Sequence, residues 1–485
     1  MKRVVSLIFA CMLLFLFVAC HESDPPSHTV PVSSEETTEP MQFDGKDFRI
    51  QYYNGGEYYV FGETDEPDTF SASVIERNQR VEKQHNVHLI SCETMDNQTI
   101  VDIKKQYLSG EAEADLLTNS SGTLGSFLPS DCFGDWHDLP DLDLSAEHWH
   151  TEATRTMEIG GHAYAASGSA ALVYYSNVYA ILFRKDFVES SGVGDLYETV
   201  RQGDWTIETF VKTVRQTADI NDSVYDSSRF GLVLGNTFGY DFDAFLYAGG
   251  VTSLKKEGDF FVYSPDFDAV ATISEPLLDL ALERNSVINP YRLQYSSIDL
   301  TTALSKGLAV MGGAPLGDVP SLRQAVTEGG LGLLPYPKAS EEQTTYRSSV
   351  SIYQYDVLTY PANIPDPVLV AVVADSLCRE SHNICLPVLV ERAAGGNAED
   401  AEMIRLIFEG RTAMPEHLIG VHLSLSSPIG DMRYHGYFNR RPNGANDIMY
   451  QLAAIELVTE SWLQNLQEVW QEIWSAESTE TTAMP

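Results

Sequence analysis

The chain has 485 residues, 44% of them hydrophobic and 11% aromatic, and carries a formal net charge of −38. Setting its two ends aside leaves a globular stretch of about 430 residues, too long for one core, so two lobes are expected. The negative charge argues against nucleic acid and against an anionic membrane surface as partners, because both would repel the chain.

Met1-Lys2-Arg3 is a basic start, and Val4 to Ala19 follows without a charged residue. Those sixteen residues fall short of a membrane-spanning helix, which needs about 20. A basic start, an apolar stretch and small residues before a cut mark a secretory signal over 1–19. A cut before Cys20 resembles a bacterial lipoprotein signal, in which the new N-terminal cysteine is acylated, and Phe17 replaces the leucine usual in that motif. The resemblance implies a palmitate-bearing protein anchored in the cell membrane and working on its extracytoplasmic face. His21 to Pro40 (HESDPPSHTVPVSSEETTEP) has almost nothing to bury, so 20–44 reads as a disordered tether. A second disordered end covers 475–485.

Phe48 to Tyr53 reads as a strand cut off by Asn54-Gly55-Gly56. Ser73 to Asn86 has helical spacing, Val87 to Ser91 is a second strand, and Asp102 to Gly110 is a helix stopped by glycine. Ala114 to Leu117 is a short buried strand opening into Thr118-Asn119-Ser120-Ser121-Gly122. Alternating strands and helices predict an α/β domain with a mostly parallel sheet, in which ligands gather beyond the carboxyl ends of the strands. Asn54–Glu57 and Asn119–Ser121 are loops of that kind, and equally polar turns. Leu172 to Arg184 reads as one long strand before a helix from Lys185, and Thr206 caps the next helix. Phe230–Leu234 is a strand and Tyr240–Tyr247 a helix stopped by Gly249-Gly250; Leu308–Met311 and Leu331–Leu334 are further strands. Ile448, Leu452, Ile455, Trp462, Leu466, Val469 and Ile473 form an apolar helical stripe.

Cys11 leaves with the signal and Cys20 is the lipid site, so four of six cysteines remain. The sequence leaves any pairing of Cys92 with Cys132 open. Cys378, His382 and Cys385 share one face of a helix over Asp375–Cys385, which is weak ground for a metal and better read as buried thiols. Neither a metal nor a cofactor is expected.

Ile75 to Val87 (IERNQRVEKQHNV), Asp135-Trp136-His137-Asp138-Leu139, Leu142-Asp143-Leu144-Ser145 leading to Trp149, and Gly160-Gly161-His162-Ala163-Tyr164 form a series. Gly203-Asp204-Trp205-Thr206, Lys306-Gly307-Leu308-Ala309-Val310-Met311 and Leu334-Pro335-Tyr336-Pro337-Lys338, with Gln343 and Tyr346 after it, continue it. In this order they resemble the extracellular solute-binding proteins, family 1 and sugar-type, of bacterial ABC importers; after about residue 390 the likeness thins. The resemblance implies an α/β, two-lobed periplasmic-binding-protein-like fold with discontinuous lobes, crossing hinge strands and a central ligand cleft. It places 45–177 and 301–345 in lobe 1, with 178–300 and 346–474, including the C-terminal helices, in lobe 2. It also implies a monomer that takes a mono- or oligosaccharide and passes it to permease subunits.

A sugar offers hydroxyls and flat C–H faces, so its pocket needs hydrogen-bonding side chains and aromatic rings. The layout of maltodextrin-binding relatives, transferred by position, selects Tyr53, Asn54 and Glu57 after the first strand. It adds Asn119 and Ser120 after the third strand, Asn177 on the crossing strand, and Asn236, Tyr240 and Asp241 before the Gly249-Gly250 stop. Gly312 and Gly313, at the end of the returning strand, would admit close backbone approach. Trp205 reads as packing between lobe elements, and Trp136, Trp149, Trp462, Trp470 and Trp474 as core. Asp219 to Asp226 stands where relatives often carry a calcium-like loop, but Ser223 replaces the turn glycine. It reads as a polar loop. The Gly-x-Ser-x-Gly, His-Glu-x-x-His and phosphate-loop motifs are absent from the sequence. A secreted glycoside hydrolase with an unseen carboxylate pair is the rival from another class, and a lipoprotein feeding a sensor kinase is a third reading.

Overall fold

The computed structural model describes residues 40–53, 55–63, 65, 67–92, 105–106, 109, 113–124, 132–220, 228–234, 240–283, 285–288, 298–350, 354–417, 456, 460–461, 463–472 and 474–475. The signal, Cys20, most of the tether, the helix expected at Asp102–Gly110, residues 221–226 of the polar loop, and Ile448, Leu452, Ile455, Trp462 and Ile473 lie wholly or largely outside these residues.

β1 (Lys46–Tyr52) buries Phe48, Ile50 and Tyr52 at alternate positions. After a single helical turn, α1 (Glu57–Val60), comes α2 (Thr69–His85), which begins earlier than its apolar pattern suggests. The Asp68 carboxylate accepts from the Ser71 amide at 2.8 Å and fixes the extra turn. Asn86, at φ 49°, ends the helix in the left-handed conformation. β2 (Val87–Ser91) and β3 (Leu116–Ser120) flank β1 in parallel.

Leu172–Arg184 is not one strand. Its first half is α3 (Leu172–Asn177), and only β4 (Tyr179–Arg184) is extended. A carboxylate far along the chain decides this: Asp356 accepts from the amides of Val173 at 3.0 Å and Tyr174 at 2.9 Å, satisfying helix N-terminal donors that a strand would not gather. Beyond β4, α4 (Lys185–Ser191) and α5 (Ile207–Thr217) follow, the latter capped by Thr206. Then come β5 (Phe230–Val233), α6 (Tyr240–Ala248), the hairpin of β6 (Leu254–Glu257) and β7 (Phe260–Tyr263), and β8 (Val287–Ile288). β9 (Ala309–Pro315), α7 (Val319–Ala325), β10 (Leu331–Leu334) and β11 (Asp356–Thr359) complete the sheets. α8 (Pro367–Glu380) passes through a π-helical turn, Ser381–Cys385, into α9 (Leu386–Ala394), and α10 (Ala398–Glu409) follows.

The strands form two principal sheets, ordered β11-β3-β1-β2 and β10-β4-β9-β5-β8. Both are mixed: β11 is antiparallel to β3, and β4 is antiparallel to β9 and β10. The sheet order corrects the expected lobe boundaries. Residues 301–345 do not return to the first lobe, because β9 inserts between β4 and β5 and β10 pairs with β4. The return comes with β11, which extends β3 through Ser120; Thr118, Asn119 and Ser120 are therefore strand residues rather than a loop.

Trp205 is fully buried and its indole donates to the Pro335 carbonyl at 2.9 Å. Trp136, Trp149 and Trp470 are also buried. Trp470 stacks on Tyr164 at 4.4 Å, while Trp474 lies 5.4 Å from His162 and 5.3 Å from Phe260. The C-terminal helical residues thus pin the β6–β7 hairpin against the loop around Gly160. Cys92, Cys132, Cys378 and Cys385 form no disulfide among the described residues, which also hold no group of His, Cys, Asp and Glu arranged for a metal.

Candidate functional site

α3 carries the chain from the first sheet to β4 of the second, and its surroundings fix its position. Buried Arg411 lies over the rings of Tyr174, Tyr175 and Tyr355 at 4.1, 5.0 and 4.9 Å. Burial pushes the Asp356 carboxyl above its usual range, and the Arg411 charge opposes that rise. Tyr174 donates to the Ser348 carbonyl at 3.0 Å, and Ser348 receives and gives backbone bonds with the Gly410–Thr412 segment. Three passes of chain are thereby tied together: α3, the run before β11, and the run after α10.

Two cavities adjoin α3. The larger, of about 270 Å³, lies between first-lobe aromatics (Tyr58, Tyr59) and the second-lobe turn after β9 (Gly317, Asp318), with Tyr175 and Phe408 at its floor. Tyr58 and Tyr59 meet edge-on at 5.2 Å, as do Tyr175 and Phe408 at 4.7 Å. Arg392 donates to the Tyr58 hydroxyl at 2.8 Å and pairs with Asp68 at 3.0 Å; burial pushes the Tyr58 phenol up to about 12. The smaller cavity, of about 170 Å³, sits at the carboxyl ends of β1 and β3 between Tyr52, Tyr53, Ser120 and Gln354. Tyr59 borders both. The Gln354 amide oxygen is buried without a partner among the described residues, while its nitrogen donates to the Asn177 side chain at 3.4 Å.

Of the residues expected from sequence, Tyr53 and Ser120 line the smaller cavity and Asn177 the larger. Asn177 does so from the last turn of α3, not from a crossing strand. Glu57 is exposed in α1 and lines neither. Gly312 and Gly313 stand inside β9 rather than at its end, opposite Leu182 and Ile181. A Cβ on Gly312 would come within 2.4 Å of Leu300, so its missing side chain makes room for packing. The strand runs on to Pro315, and the turn after it reaches the cavity. Asn119 pairs with Val357 in β3, and Tyr240 and Asp241 open α6; their side chains, like Asn54 and Asn236 altogether, lie outside the described residues. Sequence reasoning stopped just short of Tyr58-Tyr59, although an aromatic pair directly after Gly55-Gly56-Glu57 is a signal. Asp318 gave none.

No family model matches the chain, and no curated protein matches it in sequence. Solved structures do. A sugar transporter from Rhizobium etli in an open conformation superposes with a TM-score of 0.58 at 13% identity, over 84% of this chain and 99% of its own. The galacto-N-biose/lacto-N-biose I-binding protein of the ABC transporter from Bifidobacterium longum gives 0.56 at 12% identity, over 87% and 99%. An extracellular solute-binding protein of family 1 from Alicyclobacillus acidocaldarius gives 0.55 at 11%, over 86% and 100%. The chain has the two-lobed α/β fold of these binding proteins.

Proposed function

We propose that this chain captures a saccharide between its lobes and delivers it to the permease of an ABC importer. The observation that carries the reading is the pair of cavities beside α3, which combine aromatic faces with hydrogen-bonding groups, the larger of them lined from both lobes. Tyr53, Ser120, Asn177 and Tyr59 would contact the ligand, with Asn54, Asn119, Asn236, Tyr240 and Asp241 as further contributors from the surrounding loops. Ligand contacts made with both lobes at once favour the closed arrangement and so shift the population towards it. The neighbours in fold are binding proteins, which accords with capture without turnover. The protein acts as a monomer, held at the extracytoplasmic face of the membrane by a lipid on Cys20; no helix of the described residues is long and apolar enough to cross a membrane.

The test is a thermal-shift screen with lacto-N-biose, maltose, maltotriose, cellobiose, lactose and their monosaccharides, followed by small-angle scattering. A ligand at one hundred times its dissociation constant should add about 2.7 kcal/mol to stability. The matching sugar should also reduce the radius of gyration. Release of reducing sugar from an oligosaccharide, or silence across a broad panel, would overturn the proposal.

A further inference from the structure

Among the described residues that line the larger cavity, Arg392 and Asp318 are charged, and their situations differ. The Arg392 charge is already met: it pairs with Asp68 at 3.0 Å and donates to the Tyr58 hydroxyl at 2.8 Å. Asp318 stands immediately before α7, yet its carboxylate makes no capping bond to that helix. Among the described residues it has neither a hydrogen-bond nor an ion-pair partner. The turn that carries it is held from several sides. Pro315 and Pro320 bracket it, and a Cβ on Gly317 would come within 2.5 Å of the Ser176 hydroxyl, so the backbone here is pressed against α3. A stiff turn therefore presents an exposed carboxylate, met by water in the free protein, at the edge of a cavity walled by Tyr59, Tyr175 and Phe408.

The geometry points to Asp318 as the residue that selects the ligand's charge: its carboxylate accepts from the hydroxyls or ammonium group of a neutral or amino sugar and turns sugar acids away. This rests on the saccharide-capture reading. An ionised carboxylate has only acceptor sites, and bonds from hydroxyl donors to it are stronger than bonds to neutral oxygens. A uronate or sialic acid would bring a second negative charge into the same partly desolvated space, with the cation that lines it, Arg392, already engaged. Burial alone raises the Asp318 carboxyl from its ordinary value, as expected for a group without a compensating partner in the empty protein.

The experiment compares the full chain with Asp318→Asn and Asp318→Ser. Each is titrated calorimetrically with the neutral sugars of the thermal-shift panel, glucosamine, digalacturonate and N-acetylneuraminate, beside melting curves without ligand. The expected result has three parts. The wild type binds a neutral or amino sugar and neither acid. Both variants lose at least ten-fold in affinity for that sugar. Their ligand-free melting points at pH 7 stay equal to, or rise above, that of the wild type. Unchanged affinity in Asp318→Asn, or wild-type binding of digalacturonate or N-acetylneuraminate, overturns the role of Asp318 and leaves saccharide capture standing. A fall in the ligand-free melting point makes Asp318 structural and also overturns it. Wild-type silence towards every sugar removes the capture reading and this inference together.

Discussion

The guanidinium carbon of Arg411 lies 4.1 Å from the centre of the Tyr174 ring, inside the crossing between the two sheets. Tyr174 belongs to α3, and the Arg411 side chain also donates to the carbonyl of Asp356, the residue whose carboxylate caps α3. One buried cation thus holds both the helix and its cap.

Arg411→Leu should therefore destabilise the protein by about 3–5 kcal/mol, because it leaves the Asp356 carboxylate and three phenols buried without their cation. Arg411→Lys should cost less but still measurably, since an ammonium cannot lie flat over several rings. Urea unfolding of the three proteins checks this. A leucine variant within 1 kcal/mol of the wild type would mean that the cation adds little at the crossing.

Acid stability should depend on His417. Its Nδ1 accepts from the Met414 amide at 2.7 Å and its Nε2 donates to the Val350 carbonyl at 2.7 Å, so the fold holds the neutral ring. Burial pushes its pKa down to about 4 from 6.5. The unfolded chain takes up a proton that the folded chain refuses, so this contribution is complete above pH 6.5 and is lost as pH falls towards 4. The loss is roughly 3 kcal/mol at most. Half-buried His150, bonded to the Tyr175 hydroxyl, is shifted down by desolvation and adds with the same sign. His417→Gln should flatten the fall in melting temperature between pH 6.5 and 4 relative to the wild type. Parallel curves would exclude His417 as the source.

Tyr53 and Tyr59 should separate affinity from stability. Tyr53 is 38% exposed at the rim of the smaller cavity, so Tyr53→Ala should leave the ligand-free melting point almost unchanged. Tyr59 borders both cavities and packs on Tyr58 and Phe70, so Tyr59→Ala should lower that melting point as well. Each variant should weaken sugar binding about ten-fold, or about 1.4 kcal/mol. Calorimetric titration that returns wild-type affinity for both would move the ligand away from these cavities.

Cys20→Ser should release the protein from membranes or leave it as uncleaved precursor, since the tether offers no other hold. Carbonate-washed membranes probed for the protein provide the check. A processed serine variant that stays bound would end the lipoprotein reading.

The elements easiest to read in the sequence were those determined by their neighbours along the chain. β2 and β10 occupy the expected residues because alternation and glycine boundaries are local, and Thr206 caps α5 through its own third neighbour. α3 was hidden for the opposite reason. Leu172–Arg184 has the aromatic, β-branched composition of a strand, and the carboxylate that makes its first half helical comes from Asp356. The lobe boundary failed likewise, since the place of β9 between β4 and β5 leaves no mark on its own residues. Tyr53 and Ser120, which line the smaller cavity, were legible as polar and aromatic residues at strand ends. Asp318 was not, because what distinguishes it is a missing partner, and that exists only in three dimensions.

The position of β9 also governs when this lobe can be built. Leu182 of β4 finds its partners in Gly312 and Leu333, both far downstream, so β4 has no neighbour in its sheet while the intervening chain is being made. Synthesis from the N-terminus therefore leaves an exposed apolar strand waiting for most of the second lobe's production, and sheet closure is a late, long-range event. A chain cut before Ala309 would lack the central strand and β10 as well, leaving β4 open along both edges and β5 along one, whereas a cut after the second sheet is complete would keep those edges paired.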